Sequence, residues 1–125
     1  MRVAAFVLAV ALLASCGEEG HPLPDRGDAG VMAAEVELER IVSAAQDGAE
    51  CGVRLLGESD GSSFVWAECS GPSGGVSAPM RIDGAEVQVP GDGSLYEDDV
   101  RRLFPAGLAD LILDHPDRVR VDRKL

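Results

Sequence analysis

The chain has 125 residues, of which 22 are acidic and 11 are basic, so its formal net charge at pH 7 is −11. A chain this acidic repels nucleic-acid phosphates and anionic lipid headgroups, which argues against nucleic acid as a partner and against an electrostatic membrane contact. The length allows one domain with a modest core, and a domain of that size gains from a covalent cross-link.

The first 15 residues have the features of an export signal. Arg2 precedes an apolar run over residues 3–14, which matches the apolar region of a signal peptide and is shorter than the roughly 20 residues of a membrane-spanning helix. The run ends in a branched aliphatic residue, two small residues and a cysteine: Leu13, Ala14, Ser15 and Cys16. This start resembles that of bacterial lipoproteins, and the resemblance covers only the first 16 residues. The alternatives are an ordinary signal peptide and an accidental apolar start.

The resemblance to lipoproteins implies a location for the protein. It implies diacylglycerol on the sulfur of Cys16, removal of residues 1–15, and usually acylation of the new amino terminus. Each buried methylene contributes roughly 0.8 kcal/mol, so two or three acyl chains attach a protein stably without spanning the bilayer. We therefore expect a lipid anchor on the extracytoplasmic face of the cell membrane or outer membrane. In a cell with two membranes, Gly17 rather than Asp after the cysteine implies that the outer one is permitted.

Residues 16–30 are expected to form a lipidated, flexible tether. Residues 17–30 contain four Gly, two Pro and almost no apolar side chains, so they bury too little surface to become ordered. His21 lies in this tether and is expected to be solvated.

Residues 31–125 are expected to form a single small α+β domain that begins with a helix. Asp28 is the predicted N-cap of this helix, and Gly48 follows its end. Its apolar face repeats at helical spacing: Val31, Ala34, Leu38, Ile41, Val42 and Ala45. Three acids are expected toward solvent or at the flanks, a cation site being the alternative: Glu35, Glu37 and Glu39.

A disulfide is predicted between Cys51 and Cys69, because two cysteines of an exported protein remain once the lipidated one is set aside. They lie in two predicted strands joined by a strong turn signal. If residues 59–61 form a three-residue loop with Gly61 in the left-handed conformation, facing residues have numbers that sum to 120. The two cysteines are then directly opposed, within the distance that a disulfide tolerates. Two free thiols or a metal pair are the weaker alternatives.

The same register gives this first hairpin two apolar faces. One face carries the disulfide and four further residues: Val53, Leu55, Val65 and Ala67. The other face carries the candidate partner-binding residues: Arg54, Leu56, Phe64 and Trp66. Either helices cover both faces, or Leu56, Phe64 and Trp66 form an exposed patch that binds a partner. Trp66 lies opposite Arg54, and it would be an anchor in a partner site or a cation–π partner in a core.

A second hairpin is predicted after a glycine-rich loop. Apolar residues alternate on both sides of a two-residue turn at residues 83–84, so that Ile82 is expected to meet Ala85. Pro79 lacks a backbone donor, which indicates a sheet edge or a bulge. The two hairpins together predict a four-stranded antiparallel sheet.

Two short helices are predicted after the sheet. Ser94 and Glu97 fit a capping box at the start of the first helix. Its expected buried stripe is Leu95, Val100, Leu103 and Phe104. Pro105 is expected to end this helix and to occupy the N1 position of the next, which stops at residues 115–116. The apolar face of that helix is Leu108, Leu111 and Ile112. Residues 118–121 alternate and could add a short strand.

The sequence offers little catalytic chemistry. His115 lies at a helix end, where its imidazole is expected to bond the last carbonyls. A catalytic site there would have to combine it with Asp110, Asp114 or other acids. Residues 92–98 place oxygen donors at alternate positions, as a calcium loop does, but Glu97 stands where such a loop requires glycine. We therefore predict no metal site and no cofactor.

These observations predict a non-enzymatic, membrane-anchored lipoprotein of the cell envelope that binds a protein or another ligand. Partial exposure of Leu56, Phe64 and Trp66 would mark its binding site. The alternatives are an envelope enzyme or enzyme inhibitor with a site near His115, and a structural surface protein without a dedicated site.

Overall fold

The computed structural model describes residues 22–72 and 74–121, so the predicted signal peptide, Cys16 and His21 lie outside the described residues. Three helices and four strands follow one another: α1 (Ala29–Ala45), β1 (Glu50–Ser59), β2 (Ser62–Gly71), β3 (Gly74–Asp83), β4 (Glu86–Gln88), α2 (Tyr96–Leu103) and α3 (Ala106–Asp114). Single 3-10 turns lie at Gly93–Leu95 and Pro116–Arg118. The strands form one antiparallel sheet in the order β1-β2-β3-β4. The predicted α+β fold is confirmed.

Two residues of the segment that was expected to be a tether, Leu23 and Arg26, contact the domain. Leu23 is half-buried against a hydrophobic core. Arg26 Nη2 lies 3.1 Å from a carboxylate oxygen of Glu35 and 3.3 Å from the carbonyl oxygen of Val53. The composition of the segment does not reveal these contacts, because they are made with residues that are distant in the sequence.

Helix α1 begins at the predicted residue and buries most of the predicted face. The side chain of Asp28 accepts a hydrogen bond from the Val31 amide at 3.0 Å, which satisfies one of the unpaired donors of the first turn. Leu38 and Val42 are buried against the sheet. Ala45, expected on the same face, is exposed.

The β1–β2 hairpin contains the predicted disulfide, but its turn differs. Cys51 and Cys69 are directly opposed and bonded, with their Cα atoms 4.0 Å apart. The loop has two residues, not three, because Asp60 and Gly61 both have positive φ, 50° and 84°, as a type I′ turn requires. A β-bulge around Leu56 adds the residue that the loop lacks. Pairs beyond the bulge therefore keep the predicted register.

The β3–β4 hairpin is shifted by two residues from the prediction. Ile82 faces Val87, not Ala85, and the loop consists of residues 84–85. Gly84 has φ 64° and stands first in the loop, the glycine position of a type II′ turn. Asp83 stays in the strand because its carboxylate accepts hydrogen bonds from Ser62, Arg81 and Gln88.

Helices cover both faces of the sheet, which separates two hydrophobic cores. The core on the α1 side contains Leu38, Val42, Val53, Leu55, Val65, Ala67, Cys69, Met80 and Ile82. The core on the α2 and α3 side contains Leu56, Phe64, Trp66, Val100, Leu103, Phe104, Leu108, Ala109, Leu111, Ile112 and Val119. In this second core the ring centroids of Phe64 and Phe104 are 5.7 Å apart.

Helix α2 starts without the predicted capping box of Ser94 and Glu97, since no side chain caps its first turn. Instead Asp99 accepts a hydrogen bond from the Gly91 amide at 2.8 Å. The preceding 3-10 turn takes Leu95 out of phase with the helix, and Leu95 is 60% exposed where burial was expected. The rest of the predicted stripe is buried.

Helix α3 and the segment after it are close to the prediction in position but differ in detail. Pro105 was predicted at the N1 position of α3, and it is instead the N-cap, so the helix begins one residue later than expected. Residues 118–121 form no strand. Arg54 Nη1 instead donates to the carbonyl oxygens of Arg118 and Arg120, at 2.9 and 3.2 Å. One guanidinium thus holds this segment against the sheet in place of a strand ladder.

Candidate functional site at the open sheet edge

The predicted partner-binding patch is inside the molecule. Leu56, Phe64 and Trp66 are 0, 4 and 3% exposed, since α2 and α3 cover this face of the sheet. The exposed-patch prediction is therefore wrong, and the alternative of a core is correct. A small domain has few large apolar side chains and buries those it has.

The surroundings of Trp66 show what this residue does in the core. Arg54 is directly opposite it in the register, as predicted, but the cation over its ring is Arg120, whose Cζ lies 5.6 Å from the ring centroid. The indole Nε1 donates to Ser77 Oγ at 3.1 Å, and that hydroxyl in turn lies 3.3 Å from Glu68 Oε2. Both the face and the polar edge of the indole therefore have partners within the domain.

The alternative site near His115 is not assembled among the described residues. His115 is exposed, and its backbone N–H rather than its imidazole bonds the Leu111 carbonyl at 2.8 Å. The carboxylate of Asp110 pairs with Arg101 at 2.9 Å. Within residues 22–72 and 74–121 no cluster of three or more His, Cys, Asp or Glu side chains could hold a metal ion.

One outer edge of the sheet, β1, is closed by side chains of α1. Glu35 Oε2 accepts a hydrogen bond from the Leu55 amide at 2.8 Å, and Glu39 Oε2 lies 3.3 Å from the Val53 amide. Glu35 was expected toward solvent and is only 7% exposed, because the unpaired amides of an edge strand require acceptors. Arg26 completes the arrangement by donating to the Val53 carbonyl.

The other side of the sheet is open along the first half of β3. Strand β4 pairs only with Arg81, Ile82 and Asp83, so residues 74–78 of β3 have a neighbouring strand on one side alone in the described part of the chain. Residues 74–77 are exposed. We refer to residues 74–78 as the open edge.

The direction of the backbone groups at the open edge follows from the alternation of hydrogen bonds in an antiparallel sheet. The amides of Val53 and Leu55 point away from β2. The register of β1 with β2 and of β2 with β3 determines which residues of β3 bond to β2. In this register the N–H and C=O groups of Gly75 and Ser77 also point away from β2. Pro79 has the same direction, so its missing N–H falls on the open side. Of the two alternatives predicted for Pro79, an edge or a bulge, a local edge is observed: β3 lies inside the strand order, but β4 does not extend to Pro79.

A groove of about 320 Å³ lies beside the open edge, between the end of α1 and the start of β3. Asp47, the disulfide residue Cys69 and Val76 contribute to its walls. Val76 is 38% exposed, and Gly75 provides a wall without a side chain. The open edge therefore combines backbone groups that have no strand partner among the described residues with a partly apolar groove.

The charged side chains of the strand and loop segments at this end of the sheet are acidic, and Arg120, from the segment after α3, lies over the ring of Trp66 beside them. Residues 41–53 and 67–80, which lie at this end, include three acids, Asp47, Glu50 and Glu68, and no lysine or arginine. All three acids are exposed or half-buried. Residues 69–80 themselves carry no charge.

A second cleft, of about 300 Å³, lies at the opposite end of the sheet and contains Arg81 and Arg102. Both cations are already paired, with Asp83 at 3.1 Å and with Asp99 at 2.8 Å. The Arg102 guanidinium and the Gly91 amide hold the pKa of Asp99 below its ordinary value. The carboxylates thus neutralise this cleft, which makes it a weaker candidate than the open edge.

No protein-family model, curated protein or solved structure matches this chain. None of the helices in the described segments is long and apolar enough to cross a membrane. The site therefore has to be interpreted from its own residues. Sequence reasoning missed Gly75 and Ser77, although Pro79 and the uncharged stretch around them were signals of an edge.

Proposed function

We propose that the protein is a lipid-anchored lipoprotein of the bacterial cell envelope, whose domain is a non-enzymatic binding module on the extracytoplasmic side. The observation that carries this proposal is the division of roles among the three cysteines of the chain. Cys16 ends the segment, Leu13 to Cys16, that resembles the start of bacterial lipoproteins, while Cys51 and Cys69 form a disulfide. Disulfides persist in oxidising compartments outside the cytoplasm, which agrees with export.

Binding rather than catalysis is favoured by a positive feature, the open edge of β3. Exposed strands with unpaired N–H and C=O groups are recurrent sites of protein recognition. On the β1 side, by contrast, carboxylates from α1 occupy the edge amides. The open edge is thus a surface on which backbone groups can pair with a partner strand.

The lipid anchor is tested by expressing the full chain in a bacterial host that is fed an alkyne-tagged fatty acid. We expect the wild type to be labelled, to partition into detergent, and to begin at Cys16 in mass spectrometry. Cys16→Ser should lose the label. The matched control is the double variant Cys51→Ser/Cys69→Ser, which removes the two disulfide sulfur atoms and should keep the label. An unmodified Cys16 thiol, or recovery of the wild type from the cytosol, would contradict the proposal.

A further inference from the structure

We propose that the open edge of β3 binds an extended, basic segment of a partner protein, which adds a fifth strand to the sheet. The inference deepens the proposed function by naming where the module binds and what it recognises. It rests on the binding part of that proposal and does not depend on the lipid anchor.

The backbone of the open edge has the groups that strand addition requires. Gly75 and Ser77 each present one N–H and one C=O away from β2, at the two-residue spacing of a strand ladder. Their side chains are a hydrogen atom and a hydroxymethyl group, which leave room for a second backbone to approach. The Ser77 hydroxyl is already engaged with Trp66 and Glu68, so it does not compete for the incoming strand.

The charge around the open edge selects the sign of the partner. Asp47 and Glu68 line the two clefts that border it, and the whole chain carries a net charge of −11. An incoming strand directs alternate side chains to the two faces of the sheet. Lysine or arginine side chains at such positions can lay their stems on Val76 and place their charges near these acids.

A second copy of this chain is the less favourable occupant. Pairing the open edges of two copies would bring Asp47 and Glu68 of one copy toward those of the other, within two chains that each carry a net charge of −11. Repulsion between like charges opposes that contact. An extended basic segment gains from the same charges, which is why we assign the edge to it.

The test uses the purified full chain in detergent micelles and a fluorescent peptide of alternating lysine and valine, about ten residues long to match a strand. Binding is followed by fluorescence anisotropy, and the site by hydrogen exchange of the backbone amides. We expect saturable binding that weakens with salt and slows exchange at Gly75 and Ser77. A peptide of alternating glutamate and valine should not bind.

The decisive variant is Ser77→Pro, which removes the outward N–H, and its matched control is Ser77→Ala, which removes the hydroxyl alone. Because the Ser77 N–H bonds no residue of β2, proline should be tolerated there, as it is at Pro79. We expect Ser77→Pro to weaken peptide binding by about 10-fold or more and Ser77→Ala by less than about 2-fold. Thermal unfolding shows whether each variant is folded.

Val76→Lys is a second variant that keeps every backbone group, and it should weaken binding of the basic peptide several-fold through repulsion. The inference would be overturned by no binding of the peptide, by equal binding by folded Ser77→Pro, or by protection at α2 and α3 instead of β3. Self-association through the open edge in sedimentation would favour the second copy and also overturn it. These failures leave the lipid-labelling result unchanged, so the two proposals can fail separately.

Discussion

Glu35 and Leu55, separated by 20 positions in the chain, are joined by a hydrogen bond of 2.8 Å from the Leu55 amide to the Glu35 carboxylate. The bond is buried and attaches α1 to the outer edge of β1. It assigns the acid a structural role, because the amide of an edge strand is supplied with an acceptor from the covering helix.

Replacing Glu35 by alanine should therefore destabilise the domain. The substitution leaves the Leu55 amide without its acceptor and removes the ion pair with Arg26, so we expect the free energy of unfolding to fall by about 1–3 kcal/mol. Urea unfolding measures the change. Glu37→Ala is the matched control, since Glu37 is exposed and pairs with the exposed Arg40 on the surface of α1; an equal loss in both variants would refute the structural role.

The disulfide should contribute substantially to stability. Cys51 and Cys69 are 18 residues apart in sequence, and closing a loop of that length contributes about 3 kcal/mol in the chain-entropy account. Urea unfolding of the double variant Cys51→Ser/Cys69→Ser should show this loss. The wild type in a reductant should match the variant, and a reductant should not change the variant further.

Trp66→Ala distinguishes a core residue from a partner anchor. Removing a buried indole should lower the free energy of unfolding by about 3–5 kcal/mol, whereas an anchor on the surface would leave it almost unchanged. Val36→Ala, at an exposed apolar residue of α1, is the control and should alter stability little. Unfolding monitored by circular dichroism avoids the loss of the fluorophore.

Asp83 should make stability depend on pH in the acid range. A hydrogen bond from the Ser62 hydroxyl, together with Arg81 and Gln88, lowers the pKa of Asp83 below its ordinary value. A carboxyl whose pKa is lower in the folded state stabilises the fold above its unfolded pKa of about 3.9 and loses this contribution as the pH falls through the folded pKa. Wild type should thus exceed Asp83→Asn in stability at pH 7 and approach it below pH of about 4.

The fold was predictable because its signals are local. Alternation of apolar residues, turn residues and the cap at Asp28 mark the elements, and each depends on neighbours in sequence. The register at Cys51 and Cys69 was also correct, although for an incomplete reason. The two-residue loop and the bulge at Leu56 are each one residue away from the predicted hairpin, and their effects cancel at the disulfide.

The candidate site was harder to predict because it depends on relations between distant segments. An acid such as Glu35 in an acidic helix is usually solvated, and only the position of β1 against α1 gives it a buried partner. The open edge similarly results from the short length of β4, which the alternation around Val87 and Val89 overstated. Pro79 indicated an edge, but not which neighbouring residues the edge would leave free.

The two sides of the sheet differ in whether their backbone groups have side-chain partners. This difference limits which assemblies the protein can form. A fibre grows by strand addition only if every subunit has two unpaired sheet edges. Each added subunit then presents an edge to which the next subunit can pair. Here Glu35, Glu39 and Arg26 occupy one border. After a partner strand has bound to β3, the β1 side offers no second edge for further addition. This favours complexes of defined stoichiometry over polymers.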